Sequence, residues 1–546
     1  MRYNNIYNIF YLTRYYLSEY YLAMYYLTKH YLTKYYTVIG ITQIERGFIM
    51  SVTTTAPPQK ARTTAQNIGL ILSFIVLGGI LLLPTPDTLS TGGHRIIGVL
   101  AFAIILWMTS AVSYPVSSTM ITALTALLLG FSPNPEAPAK AMGTANALKL
   151  IISGYSSPAM ILVGAAMFIS VAMRKTGLDR RIAMLVLSSV GTKVSRIYLG
   201  VIITGLILAF FVPSATARIA CLAPIIIGIV ENLGIERKSR VAALLMVGAV
   251  QADTFWNIMI QTAAAQNLVA VGFMQTQMNT SVSWIDWLTA AAPFSIIMAI
   301  ITYFITQAFI KPEIKELVGG DVQLAKMRKE IGPMSFDEKK LLCISIGLLA
   351  LWATGGKLHS IDTTTTTIIA IALFFFPKIG IMDWKFAQPN IDWGSIVMFG
   401  AGIGLGSVLL KTKAATWLAQ VFVNAFSLET ASVFLLIAIM AAFLILIHLG
   451  FASATALSSA MIPIVISIVM GHSAEGLNPL GVTMLMQYAI CFGLVLPVNS
   501  PQGMVAYGTD TFDVKTFMTT GIPLTIIGYI MMLVFALTYW HWIGIA

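Results

Sequence analysis

Several stretches between residues 63 and 543 run without a charge for the roughly 18 to 20 residues that a helix needs to cross a bilayer. A chain built this way has too little polar surface to fold in water. Only 10% of its residues are charged and 57% are hydrophobic, against roughly 25% charged in an ordinary soluble domain. The expected fold class is an all-α polytopic membrane protein.

The formal charge of +11 would suggest a nucleic-acid partner in a soluble protein. With charges this sparse it reports where the loops lie, so nucleic acid is excluded as a partner. Cys221, Cys343 and Cys491 lie far apart in apolar segments without CxxC spacing, which gives neither a disulfide framework nor a zinc site. Residues 1–49 form a leader with a five-residue repeat (FYLTR, YYLSE, YYLAM, YYLTK, HYLTK), and twelve of the twenty tyrosines lie before Thr37. A period of five fits neither helix nor strand, and the leader lacks the basic, apolar and small-residue pattern of a signal peptide. It is expected to be an unstructured translated repeat upstream of the functional start at Met50, followed by a short cytoplasmic leader over 50–66.

Apolar segments at about 68–84, 95–113, 116–131, 151–173, 241–271, 286–310, 341–354, 364–377, 391–410, 478–508 and 518–543 give eleven candidate crossings. Two further stretches, 197–231 and 432–470, are broken midway by small polar residues and read as re-entrant helical hairpins. Alternating the crossings from a cytoplasmic N-terminus places 21 of the 28 Lys and Arg after residue 49 on one side and 6 on the other. By the positive-inside rule that side is the cytoplasm, and an odd number of crossings leaves the C-terminus outside.

The two halves repeat. Residues 214–229, SATARIACLAPIIIGI, and 453–468, SATALSSAMIPIVISI, agree at eight of sixteen positions. Upstream, 156–183 has its counterpart in 391–419. Downstream, the stretch from Thr262 to Asn267 and that from Asn499 to Gly503 follow the two S-A-T-A motifs at about equal distance. Because 151–173 and 391–410 run in opposite directions in this topology, the repeats are inverted, which is the signature of secondary transporters.

Non-helical backbone at membrane depth persists only where it is buried in protein or lines a cavity, so the breaks mark the site. At each tip the second arm starts with free N–H groups and a positive dipole end, which suits an anion. Ser214, Thr216, Ser453 and Thr455 add hydroxyls, while Ala215 and Ala454 leave room for substrate. Asp253, Asn257, Thr262 and Asn267 interrupt one crossing, and the Pro497–Gly503 stretch, with Asn499, Ser500 and Pro501, interrupts another. Unwound carbonyls at such breaks are candidate cation ligands. Ionisable groups at membrane depth are usually functional. Arg218 either neutralises a substrate carboxylate or snorkels to the cytoplasmic face. His448 titrates, donates to substrate or is structural. Asp253 carries a proton, binds a cation or caps the broken helix.

These residues resemble the divalent anion:sodium symporter family, carriers of di- and tricarboxylates, over roughly residues 67–543. Ser214-Ala215-Thr216 with Pro224, and Ser453-Ala454-Thr455 with Pro463, match the family's tips except for Ala in place of Asn. Arg218 and the Lys311-Pro312-Glu313-Ile314 stretch look like its citrate and tartrate exchanger branch. The resemblance implies a homodimer working as an elevator. Scaffold helices would span 67–190 and 341–427, transport-domain elements 191–310 and 428–546, and a charged cytoplasmic loop 311–340. Cations, possible sodium ions near Ser214 and Ser453, would sit beside the carboxylate; no other cofactor is expected. Ala at both tips removes two side-chain oxygens from where sodium would bind, and hard cations need a full oxygen shell. The expectation leans to sodium-independent exchange or proton-linked uptake across the inner membrane. No enzyme motif such as HExxH or GxSxG is present. The alternatives are a cation/proton antiporter of related architecture and a sulfate-type anion symporter.

Overall fold

The computed structural model describes residues 62–134, 137–232, 234–317, 320–472 and 476–546; the Tyr-rich leader and most of the 50–66 segment lie outside them. Helices occupy all eleven of the apolar segments read as crossings, and nine helices among the described residues are long and apolar enough to span a membrane. Most start on a side chain that accepts a first-turn N–H. Ser157 accepts from Met160, Ser239 from Ala242, Asp392 from Ser395 and Ser432 from Leu435, relieving groups that lipid would leave unpaired.

The repeat is visible element by element. Pro158–Thr176 and Trp393–Lys411 are both 19-residue helices. Each turns at one left-handed residue, Gly177 (φ 74°) or Lys413 (φ 58°), into a 12-residue helix, Leu178–Ser189 or Ala414–Ala425. Next come the paired arms, Val194–Phe211 with Ala215–Asn232 and Val433–His448 with Ala454–Gly471. Each half then has a helix, a three-residue 3-10 turn and a second helix: Arg240–Met259, Gln261–Ala263 and Ala265–Gln277 in the first, Pro479–Ile490, Pro497–Asn499 and Pro501–Tyr507 in the second. Long helices, Trp284–Phe309 and Val514–Leu537, close the halves.

Two details depart from the sequence reading. The chain is not wholly helical, because Pro133–Asn134 pairs antiparallel with Ala137–Ala141 in a small hairpin. The segment read as a crossing from residue 151 is interrupted: Thr144–Ile152 ends in a short 3-10 turn, and the long helix starts at Pro158 behind the Ser157 cap. By length and composition alone, the arms Val194–Phe211 and Ala454–Gly471 are long and apolar enough to span a membrane.

Residues 64–546 form one unit by contact. Within it the halves interlock: Ala215–Asn232 packs on Pro501–Tyr507, and Ala454–Gly471 packs on Ala265–Gln277. Close backbone approach helps. A Cβ at Gly404 would stand 1.8 Å from the Ile151 carbonyl oxygen, so only glycine fits there, the small-residue contact common between membrane helices.

Two acids tie the 311–340 segment to the helices. Glu338 pairs with Arg181 at 2.6 Å. Burial works against its ionisation, but hydrogen bonds from Arg181 and Ser335 outweigh this and hold it below the ordinary carboxylate range. Glu313 accepts the N–H groups of Arg240 (2.5 Å) and Val241 (3.1 Å), a carboxylate at a helix N-terminus where the dipole favours it. There too burial is outweighed by the backbone hydrogen bonds, and the carboxyl is held low.

Candidate functional site

The crossed packing brings both tips and both second half-helices to the wall of one cavity of about 400 Å³. Ser214, Ala215 and Thr216 line it from the first tip, and Ser453, Ala454 and Thr455 from the second. Ser500, Pro501 and His448 line it as well. Three serines there cap helix starts. Ser214 Oγ accepts from Ala217 N (3.3 Å), Ser453 Oγ from Ala456 N (3.3 Å) and Ser500 Oγ from Gly503 N (3.2 Å). The O–H groups of Ser214 and Ser500 remain free to donate, whereas Ser453 shares a side-chain hydrogen bond with Tyr114.

The other residues singled out from sequence stand behind this wall. Arg218 does not line the cavity and does not reach an aqueous face; it is 0% exposed. Its Nε donates to Asp253 Oδ1 at 2.7 Å and its Nη2 to Asp253 Oδ2 at 3.1 Å. The same Nη2 reaches Asn257 Oδ1, while Nη1 donates to the carbonyls of Val212 (2.6 Å) and Ala263 (3.0 Å). All five guanidinium N–H groups are thereby used, which corrects both expectations for Arg218, the substrate counter-charge and the snorkelling cation. Asp253 is this arginine's buried partner, and Asn257 completes the shell.

Asn267 and Asn499 hold backbone. Asn267 Nδ2 donates to the carbonyls of Asn257 (2.7 Å) and Ile260 (3.3 Å) across the first break. Asn499 Nδ2 donates to the carbonyls of His448, Leu449 and Phe451, each at 3.1 Å, and its own carbonyl accepts from His448 Nε2 at 3.1 Å. Thr262 Oγ1 accepts from Trp284 Nε1 at 3.1 Å. Each tip is therefore pinned to a broken helix, by Arg218 in the first half and Asn499 in the second. None of Thr262, Asn267, Asn499, Asp253 or Asn257 lines the cavity.

Sequence reasoning missed Gln266 and Gln502, which do line it, along with Tyr114 and Cys491. A signal was present. Each glutamine is the second residue of its half-helix, three positions after the last residue of the 3-10 turn.

A profile described as the sodium:sulfate symporter transmembrane region matches residues 64–546. The chain belongs to this family. It is a membrane transporter and not an enzyme, as the family resemblance implied. A membrane protein of Cupriavidus necator is 46% identical over 87% of this chain and 93% of its own length. The sodium-dependent dicarboxylate transporter SdcS of Staphylococcus saprophyticus is 24% identical over 87% of this chain and 91% of its own. An L-tartrate/succinate antiporter of Escherichia coli K12 is 27% identical, with 82% and 91% covered. Among solved structures, the Alcanivorax borkumensis YdaH transporter shares the fold with a TM-score of 0.52 at 13% identity, over 80% of this chain and 98% of that one.

Proposed function

We propose that the chain carries di- or tricarboxylate anions across the bacterial inner membrane, by exchange rather than sodium symport. The carrying observation is the pair of duplicated tips meeting at one cavity, with hydroxyls and four helix starts in its wall. Donors contributed by two tips suit an anion charged at both ends better than the single compact charge of sulfate. The names of the dicarboxylate and tartrate/succinate relatives favour the same reading.

The coupling follows from Arg218. Its head is surrounded by five oxygens, from Val212, Ala263, Asn257 and both positions of Asp253. In this reading the guanidinium is a tethered cation that fills the oxygen shell between tip and broken helix, so no dissolved cation is required there. A cation/proton antiporter would need Asp253 free to titrate in a cavity, and Asp253 is buried against Arg218. The working topology has eleven crossings and two re-entrant hairpins, with the N-terminus in the cytoplasm and the C-terminus outside. The protein works as a homodimer whose 191–310 and 428–546 elements move elevator-fashion against a scaffold of 67–190 and 341–427.

A thermal-shift panel tests the substrate class. Succinate, malate, tartrate and citrate are each expected to raise the melting temperature. A ligand at 100 times its Kd contributes about 2.7 kcal/mol, and the shift should be the same in sodium and potassium buffers. Stabilisation by sulfate alone, or by none of the anions, would refute the assignment.

A further inference from the structure

We infer that Gln266 and Gln502 select for hydroxyl groups on the substrate, making 2-hydroxydicarboxylates the preferred cargo; this deepens the carboxylate reading above and rests on it. The two side chains occupy equivalent positions in the two halves and line the same cavity. Gln502 is 7% exposed and has no side-chain hydrogen bond among the described residues. The amide of Gln266 reaches only the weak acceptor Cys491 Sγ, at 3.8 Å, among the described residues. Both carboxamides therefore present an unused N–H and an unused carbonyl oxygen to whatever enters.

The N–H groups add to a donor already present at the first tip, where the oxygen of Ser214 is engaged as a cap and its proton is available. The amide oxygens are different. They need a donor from the ligand, and an ionised dicarboxylate such as succinate has none. A hydroxyl beside a carboxylate supplies it, with the carboxylate on the amide N–H and the hydroxyl on the amide oxygen. A site that leaves polar groups unpaired discriminates against the ligand lacking the matching group. Because the two glutamines are related by the repeat, a ligand with a hydroxyl beside each carboxylate engages both.

The test is the dissociation constant of succinate, malate and tartrate for the purified full-length chain, by calorimetric titration. Affinity should rise from succinate to malate to tartrate by roughly 3- to 10-fold per hydroxyl, the range of one neutral hydrogen bond. Gln266→Leu and Gln502→Leu should each remove one step, weakening tartrate more than succinate, and the double variant should bring the three ligands within about threefold of each other. A merely structural role would weaken all three ligands equally and leave the steps intact, which would overturn the inference. Equal binding of the three by the unaltered chain would overturn it without any variant and would leave the carboxylate reading standing. Binding of none would overturn both.

Discussion

Replacing Asp253 with alanine is expected to destabilise the protein by about 3–5 kcal/mol, the usual consequence of leaving one half of a buried ion pair uncompensated. Arg218 is fully buried and has nowhere to take its charge. Its remaining contacts, the carbonyls of Val212 and Ala263 and the amide oxygen of Asn257, are neutral. Removing both charges, as in Arg218→Met with Asp253→Ala, should recover only part of the loss. The double change lifts the desolvation penalty, yet it strands the Ala263 carbonyl and the Asn257 amide oxygen, each of which costs about 1–3 kcal/mol if left unpaired; the Val212 carbonyl keeps the Ser214 N–H. Thermal or denaturant unfolding of the four proteins in detergent measures this as a double-mutant cycle. An Asp253→Ala variant within about 1 kcal/mol of the parent would mean that the pair does not fasten the first tip.

The second large effect is on transport. Ala215 and Ala454 stand at equivalent places in the tips and both line the cavity. Phenylalanine at either one projects a ring into the space a carboxylate would occupy, so Ala215→Phe and Ala454→Phe should each abolish measurable uptake. Their melting temperatures should fall far less than that of Asp253→Ala, because the ring enters a cavity rather than a packed core. The decisive readout is ligand-induced stabilisation. It should vanish in both variants, and retention of a normal succinate or tartrate shift in either would move the site away from the tips.

Much of this architecture is legible in the sequence for physical reasons. Uncharged runs of bilayer length and interruptions that only a buried cavity tolerates locate the helices and their breaks. The duplicated S-A-T-A motif locates the two tips, which the structure brings to one cavity. Partner choice was not legible. Arg218 lies two residues after Thr216 but turns away from the cavity toward Asp253, 35 residues on, and nothing local to either residue specifies that pairing. Asn267 and Asn499 stand out as polar residues in apolar runs, yet those runs do not reveal that their amides are consumed by unwound carbonyls. Two features were readable and overlooked. Ser157-Pro158 is a cap followed by proline at the first helical position, which places the start of that helix correctly. Gln266 and Gln502 recur at one offset from the two breaks.

The most direct test of the proposed exchange is counterflow in proteoliposomes. Vesicles loaded with unlabelled succinate or tartrate and diluted into a trace of the labelled anion should accumulate label. The rate should be unchanged when sodium is replaced by potassium on both sides, and empty vesicles should take up little. Uptake into empty vesicles driven by an inward sodium gradient, with no need for an internal carboxylate, would contradict both the exchange mechanism and the role assigned to Arg218 as its built-in cation.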